Sequence, residues 1–234
     1  MREIVFDTET TGFDPTSGDR VVEIGCVELI NQVPTGNTYH VYINPERDMP
    51  EGAFKVHGLS EEFLSDKPKF AEIADGFVEF VGDDGVLIAH NASFDMKFMN
   101  FELKKLSYPA YSNDRVIDTL EIARRKHPMG PNTLDALCSR YNVDNSRREK
   151  HGALLDAELL ADVYIELMGG KQRGLDFATD EKVATTTQTT NKREALQRPS
   201  PLPSRLTQEA SAAHRAFVEE LGSETLWHKV WDKK

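Results

Sequence analysis

Three strand-like stretches crowd into the first 43 residues, and only afterwards do strands alternate with helices. That order limits the fold more than any composition does. Ile4-Val5-Phe6 is a short apolar run, and Val21 to Leu29 alternates as a second strand. Thr38 to Ile43 is β-rich and closes at the turn signal Asn44-Pro45. From Glu61 to Val81 the spacing of Phe63, Ile73, Phe77, Phe80 and Val81 predicts helix. Val86-Leu87-Ile88-Ala89 reads as a buried strand, Phe94 to Leu106 as helix, and Val116-Ile117 as a short strand, with further helices to Tyr141. A last helix starts after Gly152. Leu155, Leu159, Leu160, Val163 and Leu167 form its apolar stripe, and Gly169-Gly170 its stop. Consecutive strands followed by alternation predict an α/β body, a mixed sheet covered by helices.

Hydrophobic residues at 39 % and charged residues at 29 % support a packed core and exclude wholesale disorder. No uncharged apolar stretch reaches the roughly 18 residues of a transmembrane helix, so no membrane span is expected. The start, Met-Arg-Glu, lacks the apolar core of a secretory signal. Cys26 and Cys138 cannot build a disulfide framework or a cysteine-based zinc site and are expected as buried or half-buried thiols; a cytoplasmic setting fits best. Residues 1–169 hold 17 Lys and Arg against 30 Asp and Glu, whereas residues 170–234 hold 11 against 9. An acidic body argues against tight unaided binding to a phosphate backbone. It fits a protein that binds cations, or one that a partner delivers to its substrate.

The acids themselves are patterned. Asp7 and Glu9 end the first strand two residues apart, so both carboxylates project from one face. Side by side they repel unless a cation neutralises them. An isolated pair of this kind is more often a solvated strand end, but here it follows an apolar run. Asp95 opens the helix after the Val86–Ala89 strand, and Asp156 lies in the first turn of the last body helix. Either alone would be an acid complementing a helix dipole. His151 precedes Asp156 by five residues and is free to fold back toward it. Oxygen ligands without cysteine favour magnesium or manganese over zinc. Such a cluster suits two metal ions about 3.5–4 Å apart, as used in phosphoryl transfer. His40, His127, His214 and His228 have no recognisable partner in the sequence.

Phe6-Asp7-Thr8-Glu9-Thr10-Thr11-Gly12, His90-Asn91-Ala92-Ser93-Phe94-Asp95 and His151-Gly152-Ala153-Leu154-Leu155-Asp156-Ala157 resemble the three motifs of the DEDDh 3′–5′ exonucleases, in order, over residues 4 to about 168. The resemblance implies a ribonuclease-H-like exonuclease fold with a mixed five-stranded sheet. By it, Asp7, Glu9 and Asp156 hold one divalent ion, Mg2+ or Mn2+. Asp7, with Asp95 acting through water, holds a second. His151 is the general base, a role that suits an imidazole near neutral pH. Val56-His57-Gly58-Leu59 resembles the family's segment against the 3′-terminal nucleotide, so Thr8, Thr10 and His57 join Asp7, Glu9 and Asp156 as substrate-binding residues.

After Gly170 the composition changes. The resemblance is strongest to the branch that proofreads for bacterial DNA polymerase III, releasing mispaired 3′ nucleotides as 5′-mononucleotides. It divides the chain into an exonuclease domain at 1–170, a clamp-binding segment at 171–182, a flexible Thr- and Pro-rich linker at 183–206 and a polymerase-binding segment at 207–234. Gln172, Leu175 and Phe177 are similar to a peptide that docks on the beta sliding clamp. Thr207 to Leu221 regains helical spacing, with Ala210, Ala213, Phe217 and Leu221 on one side. Phe217, Leu221, Leu226, Trp227 and Trp231 are the expected contacts with the polymerase alpha subunit, and a small theta-type subunit is a further expected partner. Tethering raises the effective concentration of a weak DNA binder at the primer terminus. An exoribonuclease fits the same catalytic motifs but gives the tail no task. A non-enzymatic adaptor fits the tail but leaves the acids unexplained.

Overall fold

The computed structural model describes residues 1–148, 150–170 and 206–221, in two units, Met1–Thr179 and Asp180–Lys234. In the first, a five-stranded sheet runs in the order β3-β2-β1-β4-β5. Its strands are β1 (Arg2–Thr10), β2 (Val21–Ile30), β3 (Val33–Tyr42), β4 (Val86–Ala89) and β5 (Val116–Asp118). The first three form an antiparallel meander, and β4 and β5 lie parallel to β1. Parallel neighbours need crossover connections, which here are helical. The helices are α1 (Glu51–His57), α2 (Glu61–Leu64), α3 (Phe70–Val81), α4 (Ala92–Lys105), α5 (Thr119–Lys126), α6 (Leu134–Tyr141) and α7 (Ala153–Leu167).

Alternation along β1 sorts the core. Ile4 and Phe6 pack with Ile73 and Phe77 of α3 and with Phe98 and Met99 of α4. Val5 faces the other way and packs with Leu160, Ala161 and Tyr164 of α7. Both faces of the strand are therefore buried, which is why its apolar residues form a run rather than an alternation. Asp7 and Glu9 continue the Val5 face and so point to the α7 side. The acids sit at the C-terminal end of this central strand, where its apolar run stops.

Three sequence expectations are corrected. The helix expected over Glu61 to Val81 is two helices: Pro68 has no N–H and disfavours helical backbone before it, so α2 ends and α3 starts at Phe70. The third strand begins at Val33, five residues before the β-rich stretch. Asn31 and Gln32, both at positive φ (50° and 66°), form the two-residue turn that suits the twist of a hairpin. The sequence reading also lacked α1, seven residues after Pro50 that end on Gly58 at φ 77°, too short to establish a period.

In the second unit, α8 (Gln208–Glu220) is capped by Thr207, whose hydroxyl oxygen accepts from the Ala210 N–H at 3.1 Å. Phe217 and Leu221 are exposed and Val218 is buried. Gln172, Leu175, Phe177, Leu226, Trp227 and Trp231 lie outside the described residues, as does the 183–205 stretch. Among the described residues no helix is long and apolar enough to cross a membrane.

Candidate active site

Gly25 sets the geometry. It is the cross-strand partner of Asp7, and the first turn of α7 rests directly on it. A Cβ at this position would stand 2.2 Å from the Leu154 nitrogen. Absence of a side chain lets the helix start close to the sheet, and Asp156, in that first turn, comes down beside the β1 carboxylates. One register slip, between Glu9 and Thr10, ends the regular ladder at the same place.

Ligand atoms of Glu9, His151 and Asp156 all lie within 4.8 Å of one another. Asp156 and Glu9 are buried, whereas His151 is exposed. Asp7 is outside that trio, but its charge is felt by the same group. Burial raises its pKa well above the usual value, and Asp95, Glu9 and Asp156 push it further. Burial, Asp156 and Glu23 raise Glu9 to about 8. Asp95 enters from the other face of the sheet, where its Oδ1 accepts from the Thr8 N–H at 3.1 Å and from the Thr8 hydroxyl at 2.7 Å. Burial raises its pKa against the pull of these bonds. Asp156 differs. Burial would raise it, but the Arg148 guanidinium and the His151 ring beside it outweigh that and hold it below the usual value.

Asp7, Glu9 and Asp95, whose carboxyl groups burial holds above the usual range, form a donor set short of positive charge, and this fits divalent cations. Hard oxygen ligands with one imidazole nearby agree with magnesium or manganese.

Beside the acids opens a cleft of about 610 Å³ lined by Thr8, Glu9, Thr10, Phe13, His57 and Phe94, among others. His57 is buried; its Nδ1 accepts from the Leu59 N–H at 3.0 Å. Its Nε2 is the buried side-chain polar atom left without a partner among the described residues. Burial lowers its pKa and so favours the neutral ring. Both Thr8 donors are engaged by Asp95, and the Thr10 hydroxyl donates to the Gly12 carbonyl at 2.6 Å.

Several residues of the site escaped the sequence reading. Phe13, 86 % exposed on the cleft wall, meets Phe94 edge-on with centroids 6.5 Å apart. An exposed aromatic beside Gly12 was a visible signal. Arg148 grips Asp156 and left no periodic signal. His40 and His127, without partners in the sequence reading, have them: His40 Nε2 lies 2.8 Å from Glu23, and His127 Nε2 lies 2.7 Å from the Tyr141 hydroxyl. Cys26 and Cys138 are free, buried thiols whose pKa values burial raises.

The exonuclease family model matches residues 4–164. DNA polymerase III subunit epsilon of Rickettsia felis is 47 % identical over 224 residues, covering 94 % of this chain and 97 % of the relative. The Escherichia coli K12 subunit epsilon is 42 % identical, covering 97 % of each. The chain belongs to the DNA polymerase III epsilon family of exonucleases. Solved structures agree on the fold of this epsilon-family chain. Exonuclease X in complex with 5′-overhanging duplex DNA matches at a TM-score of 0.53 and 26 % identity, covering 71 % of this chain and 90 % of that one. The nuclease domain of 3′hExo, a DEDDh family member bound to rAMP, matches at 0.62 and 15 % identity, covering 74 % and 94 %. The latter likeness bears on fold alone. A ribonuclease-H-like exonuclease fold with a mixed five-stranded sheet, expected from the motifs, is what the chain has.

Proposed function

We propose that the chain is the proofreading 3′–5′ exodeoxyribonuclease of a bacterial replicative polymerase, acting in the cytoplasm on single-stranded or frayed 3′ termini. The observation that carries it is the meeting of Glu9, His151 and Asp156 within 4.8 Å beside a cleft of about 610 Å³. Asp7, Glu9 and Asp156 hold one divalent ion, and Asp7 with Asp95 a second. Mg2+ or Mn2+, when bound, supplies the positive charge that stabilises the attacking and leaving oxygens.

The protein groups do the rest. His151, exposed and with its backbone N–H on the carbonyl of Val56 of the cleft wall, takes the proton of the attacking water as it adds to the phosphorus. The bond from phosphorus to the 3′-oxygen of the preceding nucleotide breaks, that oxygen takes a proton from solvent to become the new 3′-hydroxyl, and a 5′-mononucleotide leaves. Neutral His57 lines the cleft with Thr8 and Thr10, beside the terminal nucleotide. A cleft that takes an unpaired end selects errors, because a mispaired terminus frays at lower cost than a paired one.

The polymerase alpha subunit binds the 207–234 segment, with Phe217 and Leu221 exposed for that contact. The clamp binds through Gln172, Leu175 and Phe177, and a theta-type subunit completes the assembly. Such tethering offsets the repulsion between an acidic body and DNA.

The test is degradation of a 3′-mispaired primer in Mg2+ and in EDTA, with an RNA primer alongside. Metal-dependent release of 5′-mononucleotides, faster from mispaired than from paired DNA ends, is the expected result. Preference for RNA would make the chain an exoribonuclease, since the 2′-hydroxyl is the discriminating group. No release in Mg2+ or Mn2+ would leave only the linking role.

A further inference from the structure

The segment before α7 puts a cation where the proposed function needs a metal. Arg148, 9 % exposed, grips both oxygens of Asp156, with Nε 2.6 Å from Oδ1 and Nη2 2.7 Å from Oδ2. Its Nη1 donates to Asp135 of α6 at 2.8 Å. Nη2 also lies 2.8 Å from Nδ1 of His151. A guanidinium only donates, so Nδ1 must present its lone pair to Arg148. A neutral imidazole then carries its one proton on Nε2 and has no lone pair left for another. The same Nδ1 is 3.2 Å from Asp156 Oδ2, which can only accept from it. One nitrogen cannot serve both neighbours.

We propose that Arg148 is the internal counter-cation of Asp156 in the metal-free protein, that divalent metal and the guanidinium compete for this carboxylate, and that its release frees His151 for catalysis. With Arg148 withdrawn, Nδ1–H donates to Asp156 and Nε2 offers its lone pair as base. Asp135 retains the displaced guanidinium, so Arg148 gives up one carboxylate and keeps another. The arrangement leaves the base silent until metal arrives. This inference rests on the metal and base roles of Asp156 and His151 proposed above.

Mn2+ binding to the full chain, followed by calorimetry, tests it. Arg148→Gln should bind Mn2+ about tenfold more tightly or better, the scale of one competing charge-assisted hydrogen bond. The metal-free variant should also melt below the wild type. Unchanged or weaker Mn2+ affinity would overturn the competition, because Arg148 would then be a fixed support of the site. Should Arg148→Gln not fold, Arg148→Lys decides on the same terms, keeping the charge but losing the two-pronged grip. In the wild type, the Arg148 Nε–H nuclear resonance should shift on adding Mg2+, and a signal that stays put counts against the proposal equally. Asp156→Asn separates the two claims: unchanged Mn2+ affinity there would remove the metal assignment itself, whereas weak binding there with an unaltered Arg148→Gln would remove only the competition.

Discussion

Glu9 and His151 stand close together but meet solvent differently. Glu9 is buried among carboxylates and held near pKa 8, whereas His151 is exposed and touches the acids through Asp156. A ligand gains from being enclosed, since a cation then finds its charge unscreened. A base must exchange its proton with solvent on every turnover. The exposed position of His151 therefore favours the role of base over that of a third ligand. His151→Ala should lower turnover about 10²- to 10⁴-fold, the usual contribution of a positioned base, with Mn2+ affinity unchanged. Single-turnover rates at saturating metal, beside a Mn2+ titration, check this. If affinity fell in parallel with turnover, His151 would be a ligand instead.

At the scale of elements, one small residue decides whether the site exists. Asp7 and Glu9 are on β1 and Asp156 is on α7, more than a hundred residues away in sequence. What joins them is the closeness of helix to sheet over Gly25. Gly25→Ala places a methyl against the Leu154 backbone, which cannot yield as a flexible side chain would. Overpacking of this kind costs about 1–3 kcal/mol, and the helix start should lift away from the acids. The expected outcome is a lower urea midpoint together with a larger loss of Mn2+ affinity; wild-type values for both would show that α7 can slide freely. The acids themselves were legible in the sequence because Asp7 and Glu9 fall at a strand end, and Asp95 and Asp156 in first helical turns. The five-stranded fold came with the family resemblance that their motifs carry. Arg148 was not legible. It sits in an irregular segment where no period fixes direction, and its meaning comes only from Asp156 eight residues later. Helix α1 was hidden for a related reason: seven residues spanning two turns hold too few apolar positions to declare a face.

For the whole molecule, the site is an electrostatic cost carried by the fold. The chain has a net charge of −11, and its body concentrates acids at the end of β1 with Arg148 set among them. In the unfolded chain Asp and Glu ionise near pH 4. In the folded chain Glu9 keeps its proton to about pH 8, and Asp7 and Asp95 are also raised. Between those limits the native state binds more protons than the unfolded one, so stability must fall as pH rises. Below pH 4 both states are protonated and the effect vanishes. His57 and His90, with pKa values lowered by burial, act in the opposite sense, but only up to the ordinary histidine value near 6.5. The lowered Asp156 acts only at acid pH. The window from pH 6.5 to 8, above the histidines and below the range in which an unfolded thiol ionises, therefore isolates the raised acids, and each contributes a slope of up to about 1.4 kcal/mol per pH unit. In EDTA the urea midpoint should drop between pH 6.5 and 8. In millimolar Mg2+ the drop should shrink or reverse, because metal takes the place of the protons and stabilises the ionised form. Equal midpoints at both pH values in EDTA would mean that the carboxylates are already neutralised from within, leaving no electrostatic demand for metal.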